Sequence, residues 1–421
     1  MRTGNPRDSS VIHPVLAPTD HCRRSAPARS DTKGGVPPTR IPTTPTLDEL
    51  RRRTSEKWRT YPDDVLPLFV AEMDFTIADV VADAIIGQVR TSDIGYAGSV
   101  GRVGEVFAGF AERRWGWRPD PAGVRLTTDV SVVIVEALRV LIEPGDTVII
   151  NPPVYPPFFD MIPEAGGRVV EVPLISDDAG YRLDVDGIGQ AFADGARALL
   201  LCSPHNPVGR VHTADELARI AESAAEHGAF VVSDEIHAPL VHRPGDFVPF
   251  LAVGDAAREV GVAAHSASKG FNIAGAKCAL TVSAGERVGA LLDRQPEEVG
   301  FRTSILGRAA TEAAFEHGDA WLDAVLALIG DNLTLLEEHL ALGIPSVTMR
   351  RPAASYLAWL DFRATDLGDD PGLPILEQGR VGLHHGPAFG TQGAGFARLN
   401  TACSPEVLTE AVDRIARVVL G

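Results

Sequence analysis

One lysine stands out by its neighbours. In the stretch VAAHSASKGFNIAGAKCAL, Val262 to Leu280, Lys269 follows an apolar, strand-like run. It lies beside two small hydroxyl residues, Ser266 and Ser268, with a second cation at Lys277. Desolvation lowers the pKa of an amine towards nucleophilic use, and serines beside a cation can hold a phosphate. These residue types at this spacing fit a lysine that forms a Schiff base with a phosphorylated cofactor. A Ser-x-x-Lys alone says little, because most such lysines are solvated surface groups. The reading depends on what the rest of the chain brings to the lysine.

From Thr147 onward the sequence repeats a short apolar, β-branched run, a turn and a helix-like stretch. The runs are TVIIN, RVVEV, ALLLC, FVVSD and VAAHS. This alternation predicts an α/β fold with a mostly parallel sheet and crossover helices. Thr213 and Glu216 form a capping box opening TADELARIAESAAEH, and Gly228 stands where a left-handed cap would end that helix. In open α/β sheets ligands bind beyond the carboxyl ends of the strands. Asp234 at the end of FVVSD, the SPHNP turn after ALLLC, and Ser266 to Lys269 after VAAHS are therefore expected to share one crevice.

After about Ala310 a long helix-like segment precedes two strand-like runs, SYLAWLDF and FARLNTA. The expected organisation is a disordered tail over 1–45, an N-terminal segment over 46–90 packing with the small domain, a large domain over 91–310, and a smaller α+β domain over 311–421. The tail is rich in Pro, Ser, Thr and Arg and cannot bury enough apolar surface to order itself. It lacks the apolar core of a secretory signal, although its basic, acid-poor character leaves a targeting peptide as the alternative.

Composition removes several function classes. The 421 residues carry a formal net charge of -17, against the clustered Lys and Arg that nucleic-acid binding requires. No apolar run approaches the roughly 20 residues of a membrane helix. The four cysteines, Cys22, Cys202, Cys278 and Cys403, form no metal-ligand spacing and fit reduced thiols in a cytoplasm. No metal is expected: His384 and His385 are adjacent, hence on opposite faces of an extended chain.

Asn206 in CSPHNPVG, Asp234 and His237 in VVSDEIH, Lys269 in SASKGFNIAG and Arg398 in GFARLN fall in an order that resembles fold-type I, aminotransferase-like enzymes using pyridoxal 5'-phosphate. TSEKW, VLPLFVAEMDF, NPPVYPPFF and the DEIH and SKxFNIAG blocks narrow the resemblance to MalY/PatB-type cystathionine β-lyases, from about Thr54 to the C-terminus. The resemblance implies that Lys269 carries the cofactor and moves the Cα proton. Asp234 would face the pyridine nitrogen and Asn206 the phenolic oxygen, with His237 close by and Tyr155 stacked on the ring. Ser131, Ser266, Ser268 and Lys277 would serve the phosphate. Arg398 would capture the substrate α-carboxylate with its planar fork. Tyr96 in IGYAG would reach the neighbouring subunit's phosphate, which requires a homodimer.

Two positions depart from the family pattern. Asp129 in TTDVSVVIVEALRVL replaces a common glycine before the phosphate helix, and a carboxylate there is expected to point away from the anion. Gly270 replaces a common threonine after the lysine. The implied activity is a carbon-sulfur β-lyase acting on L-cystathionine or related cysteine S-conjugates. The same residues would serve an aminotransferase, and a regulatory binding protein on the same fold is the third possibility.

Overall fold

The five β-branched runs form five neighbouring parallel strands. The computed structural model describes residues 41–421, so most of the expected disordered tail lies outside the described residues. The large sheet has seven strands in the order Val124–Thr127, Ala279–Ser283, Gly261–His265, Phe230–Asp234, Ala198–Cys202, Thr147–Ile150, Arg168–Glu171. Only Ala279–Ser283 runs antiparallel to its neighbours.

The three central strands Ala198–Cys202, Phe230–Asp234 and Gly261–His265 are buried at every position because both faces of the sheet are covered, and they are mostly apolar. Leu199, Leu201 and Val231 enter one apolar layer, while Leu200, Cys202 and Val232 enter the other. Each fully buried leucine contributes roughly 1.5–3 kcal/mol by removal from water. The helix Ala214–Glu226 shows how a crossover is specified locally. Its Thr213–Glu216 capping box is closed in both directions, with Leu217, Ile220, Ala221 and Ala224 buried along one stripe. Gly228 ends it at φ +63°, where a side chain would be strained.

The C-terminal part folds as a four-stranded antiparallel sheet in the order Thr348–Met349, Leu357–Asp361, Phe396–Asn400, His384–His385. The helices Asp319–Gly343 and Pro405–Leu420 pack together beside it. The N-terminal segment is tied to this unit by backbone: Leu66–Pro67 pairs in parallel with Val381–Gly382, and Asn400 N donates to Leu68 O at 2.9 Å. A buried ion pair, Lys57 Nζ to Asp74 Oδ1 at 2.8 Å, fastens the segment internally. The glycines at 98, 101 and 104 form no dinucleotide loop, since Gly104 already lies in the helix Val103–Trp115. Among the described residues no helix is long and apolar enough to cross a membrane.

Candidate active site

A cleft of about 330 Å³ opens at the carboxyl ends of the parallel strands. It is lined by Asn206, Asp234, His237, Lys269, Arg398, Tyr155, Ser131 and Ser268, eight of the residues singled out in the sequence. Asp234 ends its strand, and Asn206 lies in the turn that follows the neighbouring one. Lys269 sits in the short helix Ala267–Gly270 directly after the next strand.

Lys269 Nζ donates to Ala71 O at 2.8 Å. Burial, followed by the charge of Arg398, lowers its amine to about 8. Asn272 bolts the same loop to the N-terminal segment, its amide bonding both N and O of Met73 at 2.9 Å. Asp234 is pushed up to about 7 by burial, and its Oδ1 accepts only from Ile236 N at 3.1 Å. A buried carboxyl with so few partners is incomplete until a cation or an N–H faces it. His237 is buried with Nδ1 unpartnered, and burial lowers it to about 3, so it acts as a neutral imidazole.

Arg398 is 2 % exposed and has no carboxylate partner among the described residues. It donates to Asn206 Oδ1 at 2.9 Å, Phe69 O at 2.9 Å and His384 Nδ1 at 3.0 Å. A guanidinium has five donors, so two stay free, and Nε is one of them. An unpaired buried cation with open donors is a receptor for an anion.

Three residues expected to serve a cofactor do not line this chain's cleft. Ser266 is the N-cap of the lysine helix: its hydroxyl accepts from Ser268 N at 3.1 Å and donates to Cys278 O at 2.7 Å, which commits it to the backbone. Lys277 pairs with Asp129 at 3.1 Å. Asp129 lines the cleft, and its carboxylate turns to Lys277 instead of capping its own helix. Tyr96 is 88 % exposed and outside the cleft of its own chain.

Sequence reasoning missed other members of the site. In sequence His384 reads only as half of an unsuitable metal pair. The opposite-face geometry is correct, and it sends His384 to Arg398 while His385 meets Asp370 at 2.9 Å. Phe69 and Ala71 act through carbonyl oxygens, which no residue type reveals. Their position inside VLPLFVAEMDF was the available signal.

The residues fit pyridoxal phosphate. The incomplete buried carboxyl suits a pyridine nitrogen, and the uncommitted Asn206 Nδ2 suits a phenolic oxygen. The partly buried amine of Lys269 suits a carbonyl. The N-terminus of the helix Val130–Leu141, with Ser131 beside it, suits a phosphate. Among the described residues no cluster of three or more His, Cys, Asp or Glu could hold a metal.

Comparison with known proteins agrees. Residues 107–415 match the model for aminotransferase class I and II. The chain is 35% identical over 379 residues to a cystathionine beta-lyase of Corynebacterium glutamicum, covering 89% of this chain and 99% of that one. It is 33% identical over 355 residues to the cystathionine beta-lyase PatB of Bacillus subtilis strain 168, covering 84% and 92%. Cystalysin from Treponema denticola, a structure containing pyridoxal 5'-phosphate, superposes with a TM-score of 0.83 at 26% identity, over 88% of this chain and 97% of that one.

Proposed function

The chain belongs to the aminotransferase class I and II family of fold-type I pyridoxal-phosphate enzymes, and from that premise we propose that it cleaves the Cβ–S bond of L-cystathionine or a related cysteine S-conjugate, releasing thiol, pyruvate and ammonia. The observation that carries this reading is the setting of Lys269. Its lowered amine shares a cleft with the incomplete carboxyl of Asp234 and the carboxylate-free cation of Arg398.

Bound pyridoxal phosphate supplies an electrophilic carbonyl for the substrate amine and a ring that accepts the electron pair left at Cα. Arg398, with two free donors, holds the α-carboxylate and fixes the orientation of the Cα–H bond. Lys269, with an amine near neutrality, takes that proton. Asp234 offers its carboxylate to the ring nitrogen, and Asn206 offers Nδ2 to the ring oxygen. His237, uncharged, adds a hydrogen bond without opposing either cation. Tyr155, partly buried at the cleft, covers the ring face. The thiolate leaves Cβ with the C–S electron pair and picks up a proton, and water then converts the remaining three-carbon fragment to pyruvate and ammonia.

The enzyme acts as a homodimer, with the exposed Tyr96 reaching the partner's phosphate site, and it works in the cytoplasm. The exposure of Tyr96 supports the first statement, and the well-separated free thiols of Cys202, Cys278 and Cys403 support the second.

The test is to supply L-cystathionine to the purified protein with no keto acid present. Equal amounts of thiol and pyruvate support the lyase. Turnover that begins only when a keto acid is added rejects it in favour of transamination.

A further inference from the structure

Asp129 puts a negative charge where the phosphate of the cofactor is to bind. It occupies the N-cap position of the helix Val130–Leu141 in an extended conformation, φ -141° and ψ 155°, yet makes no side-chain cap hydrogen bond. An aspartate at this position ordinarily accepts from the second or third amide of the helix. That contact would close the anion site formed by the first-turn amides, which have no intrahelical partners. The carboxylate instead turns to Lys277, whose Nζ lies 3.1 and 3.2 Å from its two oxygens.

Lys277 is fixed for this contact by its backbone. It adopts φ +62°, a left-handed conformation uncommon for a residue with a side chain. Its carbonyl accepts from Ser304 N at 3.2 Å, and Gly307 packs so tightly that a Cβ there would meet Ala276 O at 2.1 Å. Lys277 is therefore held against Asp129 by the helix Ile305–His317, which begins right after Ser304.

We propose that Lys277 serves the phosphate through Asp129. It neutralises the carboxylate and keeps it off the amides of the helix Val130–Leu141, so that these amides and Ser131 receive the phosphate. Lys277 is thus a positioning residue whose value depends on Asp129, not an independent phosphate ligand. The proposal rests on the pyridoxal-phosphate reading above but not on the lyase reaction.

The experiment compares the wild-type holoprotein with Lys277→Met, Asp129→Ala and the double variant, following loss of pyridoxal phosphate on dilution by its visible absorption. Asp129 makes no cap bond, so alanine at this position removes charge without removing a cap. Lys277→Met is expected to release the cofactor about tenfold or more faster than wild type, while the double variant stays within about twofold of Asp129→Ala. Should Lys277→Met yield no folded holoprotein, Lys277→Gln takes its place in both backgrounds. An equal cost of losing Lys277 in both backgrounds means a direct phosphate contact and overturns the proposal, as does no cost in either. Cofactor retention is read without turnover, so failure of the lyase reading leaves this test intact.

Discussion

Arg398 donates from Nη1 to Oδ1 of Asn206 at 2.9 Å, joining a strand of the small sheet to a turn of the large one across 192 residues of sequence. The bond fixes the amide of Asn206, leaving its Nδ2 uncommitted, and holds the guanidinium at the rim of the cleft. The residue that would grip the substrate thereby orients a residue that would face the cofactor.

Arg398→Lys keeps the charge but cannot serve Asn206, Phe69, His384 and a carboxylate together. Loss of one partner from a buried charged network costs about 2–5 kcal/mol, so kcat/KM for L-cystathionine should fall by roughly two to three orders of magnitude. An S-alkyl cysteamine, which lacks the α-carboxylate, provides the control. It should be turned over equally poorly by both proteins, and an equal loss on both substrates would contradict the assignment.

Asp234 gives a stability prediction for the cofactor-stripped protein. Burial raises its carboxyl from 3.8 to about 7. Between those values the folded chain binds more protons than the unfolded one, so the contribution of Asp234 to stability falls as pH rises through the window. Asp234→Asn should therefore match wild type near about pH 4 and exceed it at about pH 8, by roughly 1–4 kcal/mol in urea unfolding. A difference that does not change with pH would show that Asp234 is not a buried, partnerless carboxyl.

Lys57 and Asp74 brace the segment that presents Phe69 O to Arg398 and Ala71 O to Lys269. Lys57→Met leaves Asp74 as an uncompensated buried charge and should cost about 3–5 kcal/mol of stability. The double variant Lys57→Met with Asp74→Leu should recover most of that loss. Thermal unfolding of the three proteins checks this, and a double variant no better than the single one would mean that shape, not charge, holds the segment.

If Tyr96 serves the neighbouring site, two defective chains should complement. Tyr96→Phe and Lys269→Ala homodimers are each expected to be weak. A mixed dimer has one site with both native residues, so co-expression should restore activity to about a quarter of wild type or more, given random pairing of subunits. No recovery on mixing would place Tyr96 outside the partner's site.

The site was legible where chemistry coincides with strand ends. Asp234, Asn206 and Lys269 each follow an uninterrupted apolar run, and such runs announce buried parallel strands whose ends converge. The strands Val124–Thr127 and Ala279–Ser283 were not read out, because VRLT and ALTVS mix polar and apolar residues. The N-cap role of Ser266 was not legible because an N-cap serine and a phosphate-binding serine look alike in sequence. Nothing local in the sequence pairs Lys277 with Asp129, which is 148 residues away. The two-residue pairing of Leu66–Pro67 with Val381–Gly382 is too short to leave any periodic signal.

The claim on which everything else depends is that Lys269 is the lysine that holds the cofactor. Borohydride reduction of the purified holoprotein fixes bound pyridoxal phosphate to its lysine, and peptide mass after trypsin locates it. The expected product is a peptide from Glu259 to Lys277 carrying the added mass and uncut after Lys269. Added mass on Lys57, Lys277 or any other lysine, with the chain cut normally after Lys269, would contradict the account.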